Sequence, residues 1–538
     1  MCATAAATIS QRLLFASAAT GHASLIPSAP VPTFNYFNTW HSQYSLAAHH
    51  LGAKDFSAMM GDAGSVLSQK ELTEENLFGP KGLVHTAYPT IRQDMYFVLD
   101  HGWDNPPSGD LAYTGTLDLN AERFPSFKGN PAQKLKTLCA AIKKAGWRGT
   151  GIWIPAQLAP VTLDRDKQKG INVVSPEYRR NHWIKSLRES HEAGIAYWKV
   201  DWGTHAHEPV FREMLYALAK EHAPGLVLET TEPRGPLNNQ ITQCACPDSQ
   251  EAKKDRKWLD ISHRLMKMPG TFRIYDTITF TAVPTTLARI AGLLNVQPDD
   301  EAKAFLNCED EVYIGAALGI DLAIQRNALP GVRYVADPSP RNIAHKINEA
   351  VRAVRWQRIA PPVAAGKTSL AFDPKLLWDS WKYSEGQTWL RSAIGKEIWQ
   401  GAPARIARGM QLPHVTTEGT PPFVVSSRHP NGATAVATLG RISSARGWMT
   451  PHTNVAIEGC SLDAPVGIFG VYEELALDFD APINKRRVLM QDLATDTPID
   501  VTKQVQRIGK RIIMPGKLID ELCAVKDQSE PGVVLQCI

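Results

Sequence analysis

Most of the features that announce a function directly are missing from this 538-residue chain. Charge of one sign is one of them: 58 Lys and Arg stand against 54 Asp and Glu. A net charge of +4 on a chain of this size gives no electrostatic case for nucleic acid or an anionic membrane as partner. Long hydrophobic runs are absent too; nothing reaches the roughly 18 residues of a membrane-spanning helix. The eight cysteines are scattered, and only Cys244 and Cys246 lie close together. That is neither a disulfide framework nor the paired C-x-x-C spacing of structural zinc, and C-x-C is not the usual thiol redox spacing. No G-x-S-x-G nucleophile elbow occurs, no glycine-rich phosphate loop follows the first strand, and no internal repeat or low-complexity tract is present.

What is present is an ordinary globular composition, 43% hydrophobic and 21% charged, on a chain long enough for two or three domains. The 14 Trp are more informative: aromatic faces suit sugar rings, although most Trp serve as core. The N-terminus reads as a leader over 1–31. Arg12 precedes a short apolar segment, LLFASAA (13–19), whose single positive charge and minimal length favour a cytoplasmic location over export.

From residue 32 strands and helices alternate. Phe34–Trp40 and Met95–Leu99 read as strands, separated by a long polar connection over about 41–90. Asn130 caps a helix with Pro131 at its first position, and Leu135, Leu138 and Ile142 repeat at helical spacing before Gly146. A strand follows at 151–154, then helix 178–192 and strand 195–200, helix 209–222 and strand 225–229, helix 250–267 and strand 271–275, and helix 283–294. A weaker strand region covers 311–324, and a helix over 342–358 closes the unit. Strands joined by helices of this length form a parallel sheet, and polar strand ends without a phosphate loop favour a (β/α)8 TIM barrel over 32–360. Residues 361–420 read as connection. Short runs separated by turn residues over 421–538 predict an antiparallel β-sandwich.

The barrel is organised around Gly194–Gly203, GIAYWKVDWG: an apolar strand ending in Asp201, with Lys199 two residues earlier and so on the same face. Acids also stand at or just past three other strand ends, as Asp100, Glu229 or Glu232, and Asp276. In a barrel these ends form one ring, and two carboxylates facing each other across a pocket are the equipment of glycoside hydrolysis. The positions point to Asp201 with Asp276. His205 and His207 form an H-x-H pair, but no partner set completes a metal site, so neither metal nor organic cofactor is expected.

Several of these stretches together resemble the melibiase-type α-galactosidase clan of retaining glycoside hydrolases. YWKVDWG (197–203) resembles its K-x-D nucleophile strand and FVLDHGW (97–103) its D-D-G-W strand. ERFPSF (122–127) with GTGIWIPAQ (149–157) resembles its F-P, helix, G-L-W-x-x-P unit, and FRIYD (272–276) the strand carrying its acid/base. PTFNYFNTW (32–40) is similar to the opening N-S-W strand, and NCEDEVYIG (307–315) to a late N-D-P-D-M segment. The resemblance spans about 32–320. It implies Asp201 as nucleophile and Asp276 as acid/base; Asp100, Lys199 and Arg273 as contacts to sugar hydroxyls; and Trp40 and Trp103 as pocket walls. His101 stands where the family has a second acid that reads galactose hydroxyls, which leaves the sugar open. ETTEPRG (229–235) matches the fifth strand poorly and does not rank Glu229 against Glu232. The implied activity is that of a retaining exo-α-glycosidase acting on an oligosaccharide or glycoside. The alternatives are a transglycosylase of the raffinose-synthase type and a non-catalytic carbohydrate-binding barrel.

Overall fold

A computed structural model of the chain describes residues 23–52, 59, 61–105, 116–158, 175–231, 233, 250–274, 280–295, 301–332, 345–385, 387, 393–483, 485–523 and 527–538. Eight parallel strands close into a barrel: β1 (Tyr36–Asn38), β2 (Tyr96–Leu99), β3 (Gly149–Ile154), β4 (Ile195–Val200), β5 (Val227–Thr231), β6 (Thr271–Arg273), β7 (Phe305–Glu309) and β8 (Asp321–Ile324). The circle closes where Tyr36 and Phe37 of β1 pair with Ala323 and Ile324 of β8. Helices follow the strands in turn: α1 (Trp40–His50), α2 (Pro131–Lys144), α3 (Pro176–Ala193), α4 (Pro209–His222), α5 (Gln250–Met266), α6 (Ala282–Leu293), α7 (Val312–Leu318) and α8 (Ile347–Gln357). No described helix is long and apolar enough to cross a membrane.

The local reasons are visible in the sequence. Asn130 and Gln133 form a reciprocal capping box at the start of α2, with Leu135, Leu138 and Ile142 buried on one face. Gly194 takes a left-handed φ of 84° after α3, which ends the helix and turns the chain into β4. Side chains alternate between the helix-facing and interior sides of each strand. The interior floor is an apolar cluster of Tyr36, Val98, Tyr197, Val227 and Ala323. Gly151 of β3 makes room for it, since a Cβ there would lie 2.7 Å from Val98 and 3.0 Å from Tyr197.

Three stretches differ from the sequence reading. The connection over 41–90 folds largely as helix, with α1 followed by Gly61–Lys70, Glu74–Phe78 and Leu83–Thr86; weak amphipathic patterning hides these short elements. The weak strand region at 311–324 is helix α7 followed by β8, and the seventh strand lies earlier, at Phe305–Glu309. Its closing Glu309 and its buried Asn307 mask the apolar run expected of a barrel strand. Finally, 361–420 is not mere connection. It holds strands Leu370–Phe372, Leu376–Lys382, Glu397–Pro403, Arg405–Arg408 and His414–Thr416, and two of these sit in the large C-terminal sheet.

The C-terminal region stacks a sheet of eight strands on one of five. Most neighbours are antiparallel, with parallel pairs such as Thr434–Leu439 beside Val466–Phe469. One face of the larger sheet, through Val424, Val436, Ile468 and Val533, meets Val455, Leu475 and Ile512 of the smaller. Its other face, through Phe423, Val425, Ala435 and Ala437, joins the barrel core. Two buried arginines lock this junction. Arg352 of α8 makes a two-pronged bond to Asp492 at 2.8 and 3.0 Å. Arg408 donates to the carbonyls of Leu318, Gly319, Val363 and Ala364.

Candidate active site

Above the apolar floor, the next interior position on almost every strand is polar. Asp201 lies one residue past β4 and is buried, 6% exposed. Its Oδ1 accepts a hydrogen bond from Arg273 Nη2. Its Oδ2 accepts from the Trp153 indole N–H at 3.1 Å and lies 3.8 Å from Lys199 Nζ. Burial alone pushes the Asp201 pKa up, but Arg273, Lys199 and the indole N–H outweigh it and hold the carboxyl below its ordinary range. Asp201 is therefore an ionised carboxylate in a buried position.

Lys199 gives its shorter contact, 2.6 Å, to Asp100 Oδ2. Burial disfavours its charge, yet Asp100 and Asp201 raise its pKa above the usual lysine value. Asp100 is held further by Asn38 Nδ2 at 2.6 Å, and its Oδ1 accepts from the His101 backbone N–H at 2.7 Å. His101 stacks on Trp153 with ring centroids 4.2 Å apart and lies near-parallel to Trp40 at 6.5 Å. Burial lowers its pKa to about 4, against the pull of Asp100 and Asp201, so the imidazole is neutral at neutral pH.

The chain after Asp201 is pinned to the β3 end. The Ala156 N–H donates to the Trp202 carbonyl at 2.8 Å, and the His205 N–H donates back to the Ala156 carbonyl at 2.9 Å. Gly203 permits this approach with φ of 146°; a Cβ there would sit 2.7 Å from the Ala156 backbone. His205 Nδ1 is 2.9 Å from Glu208, and His207 packs edge-on to Trp202 and Trp258. Among the described residues no three His, Cys, Asp or Glu side chains group as metal ligands do.

Of the residues expected at the site, the fold brings together Asp100, His101, Lys199, Asp201, Glu229 and Arg273, with Trp40 at the edge. Trp103 stands apart: it is fully buried among core residues, its indole donating to the Trp153 carbonyl at 2.9 Å. The indole beside Asp201 is that of Trp153. Glu229 is fully buried, bonded by the Tyr197 hydroxyl at 2.7 Å and Asn307 Nδ2 at 3.1 Å, with Arg273 Nε 3.0 Å from its Oε1. Burial, outweighing Arg273 and Lys199, raises its pKa. Asp276 and Glu232 lie outside the described residues, and with Asp276 lies the Asp201–Asp276 separation.

Sequence reasoning missed Asn38, Trp153, Glu309 and Gln325. Glu309 Oε1 accepts from Arg273 Nη1 and from Gln325 Nε2, both at 2.9 Å. Trp153 carried a signal, since it lies one alternation step beyond Gly151 on a strand already recognised. Glu309 lay inside the quoted NCEDEVYIG (307–315), but β7 was misplaced and Glu309, Asp310 and Glu311 stand side by side, so nothing singled it out. Asp310, at a φ of 54°, turns its carboxylate instead to Arg326 at 3.2 Å.

No family model matches the sequence, and no curated protein matches it. Solved structures do align. A GH27 β-L-arabinopyranosidase from Geobacillus stearothermophilus aligns at 10% identity and a TM-score of 0.38, over 95% of this chain and 97% of that one. A candidate α-N-acetylgalactosaminidase from Bacillus halodurans C-125 aligns at 10% identity and 0.38, over 96% and 99%. A candidate α-galactosidase/melibiase from Bacteroides fragilis NCTC 9343 aligns at 11% and 0.36, over 96% and 80%. At such identities and scores the likeness carries no argument about reaction or substrate.

Proposed function

We propose that the protein is a retaining exo-α-glycosidase with an α-galactosidase-like site. One observation carries the reading: Asp201 stands at the active end of a closed barrel, buried yet held ionised by Arg273, Lys199 and the Trp153 indole. An ionised carboxylate so placed suits nucleophilic attack on an anomeric carbon. In the proposed reaction an Asp201 oxygen forms the bond to that carbon while the glycosidic bond breaks, and the leaving oxygen takes a proton from Asp276. Asp276 then removes a proton from water, which attacks the same carbon and releases Asp201. The Asp100–Lys199 pair offers an acceptor and a donor to sugar hydroxyls, and Trp40 offers an aromatic face. His101, neutral and stacked, takes the place of an acid in reading the sugar.

A second reading has its own support. Asp201 is only 6% exposed and both its oxygens already accept hydrogen bonds, which also suits a barrel that binds sugar without cleaving it. Nitrophenyl α-galactoside, α-N-acetylgalactosaminide, α-glucoside and β-L-arabinopyranoside, offered to wild type and Asp201→Ala, separate the two. Cleavage of one sugar, falling by at least about 10^4-fold in the variant, is the expected result. Sugar binding by calorimetry with no turnover by folded wild type would instead favour the binding barrel. A transglycosylase would pass through the same glycosyl-enzyme, and products formed with excess acceptor sugar reveal it.

A further inference from the structure

We infer that Glu229 and Glu309 are positioning residues that act on Asp201 through Arg273, dividing one guanidinium among three carboxylates. The inference rests on the reading of Asp201 as nucleophile. Each nitrogen of Arg273 meets a different strand: Nη2 the Asp201 carboxylate after β4, Nη1 Glu309 of β7 at 2.9 Å, and Nε Glu229 of β5 at 3.0 Å. The Nη1 contact is an aligned hydrogen bond, whereas the Nε contact is an ion pair without that alignment. A guanidinium is planar and rigid, so fixing Nη1 and Nε fixes where Nη2 points. The two clamps are themselves held, Glu309 by Gln325 and Glu229 by Tyr197 and Asn307.

Charge gives the arrangement its purpose. In this buried layer Asp100, Asp201, Glu229 and Glu309 face two cations, Lys199 and Arg273. Lys199 belongs chiefly to Asp100, 2.6 Å against 3.8 Å to Asp201, so Arg273 is the main partner of Asp201. The other titratable groups facing this cluster are His101 and the hydroxyls of Tyr36 and Tyr197, all neutral at neutral pH, and Arg212 from α4, whose guanidinium sits on the Val200 and Ala206 carbonyls. A carboxylate with a guanidinium to itself would stay ionised but attack poorly, because its charge is already stabilised. Sharing leaves Asp201 enough of Arg273 to ionise and too little to disarm it. When Asp201 becomes the neutral ester of the glycosyl-enzyme, Arg273 keeps all its protons. Glu229 and Glu309 then remain as its counter-charges, so no buried cation is orphaned mid-reaction.

The test is Glu309→Gln, which keeps shape and removes charge, beside Glu309→Asp, which keeps charge and shortens the reach. pH profiles of kcat/KM and melting temperatures are read for both, for wild type and for Asp201→Ala. In Glu309→Gln more of Arg273 falls to Asp201, so the acid limb of the profile moves to lower pH and kcat/KM drops about 10- to 100-fold. Glu309→Asp is expected to keep the wild-type limb with a smaller loss. An unmoved limb in Glu309→Gln, whether kcat/KM holds or falls, marks a structural role and overturns the inference. Should Glu309→Gln not fold, an acid limb in Glu309→Asp shifted as far as its rate is lowered overturns it equally. An inactive wild type, or an active Asp201→Ala, sinks the reading of Asp201 itself and the inference with it.

Discussion

Two buried carboxyls inside one barrel titrate in opposite directions, and the contrast separates its two ends. Asp321 opens β8 at the floor. It accepts the Phe34 backbone N–H at 2.8 Å, and burial pushes its pKa up to about 7. Asp201, as deeply buried at the other end, is driven the other way because Arg273 and Lys199 outweigh the same desolvation. Where desolvation outweighs a carboxyl's partners, as at Asp321, the carboxyl is pushed towards its neutral form; where Arg273, Lys199 and the Trp153 indole together outweigh desolvation, as at Asp201, it is held as an anion. One pleat step along each strand spans this difference. Tyr36 gives way to Asn38, Val98 to Asp100, Tyr197 to Lys199, Val227 to Glu229 and Thr271 to Arg273, so packing turns into chemistry within two residues.

Breaking the charged end has the largest expected effect on stability. Arg273→Leu leaves Asp201, Glu229 and Glu309 without their shared cation and is expected to lower unfolding free energy by about 3–5 kcal/mol, read by chemical denaturation. The floor answers to pH instead. A folded pKa near 7 against an unfolded value of about 3.9 means the folded state alone holds the Asp321 proton between those values. Stability from this group is full below pH 4, is lost as pH rises towards 7, and stays lost above it. Asp321→Asn retains the acceptor for Phe34 and removes the charge. It is expected to match wild type near pH 4 and to exceed it at pH 8 by up to roughly 3–4 kcal/mol in parallel urea melts. Equal gains at both pH values would mean that charge is not the cause. The smallest effect falls on the seam between the ends. Tyr197→Phe removes the hydroxyl shared by Glu229 at 2.7 Å and Thr271 at 2.8 Å and should cost about 1–3 kcal/mol.

Much of this barrel was legible in the chain. Strand 195–200 and helix 209–222 stand where their patterns put them, since an apolar run stopped by Asp201 and a helix opened by Pro209 carry unambiguous ends. Lys199 and Asp201 share a face because alternation requires it. The seventh strand was illegible for the reason that makes it useful: Asn307 and Glu309 are interior polar residues that hold Glu229 and Arg273 respectively, and they erase the apolar signal by which a strand is recognised. Trp103 illustrates the converse, a tryptophan in a site-like motif that the fold spends on its core.

The sequence by itself determined the order of the first six barrel strands and of helices α2 to α6, the acids at the strand ends and the shared face of Lys199 and Asp201, because each depends on neighbours within one or two turns of chain. Only the tertiary structure decided that Arg273 belongs to Asp201, Glu229 and Glu309 together, and that Trp153 rather than Trp103 reaches the carboxylate. Those choices depend on which strands stand beside or across from one another and at what height. Closure of eight tilted strands sets both, and no local pattern encodes them.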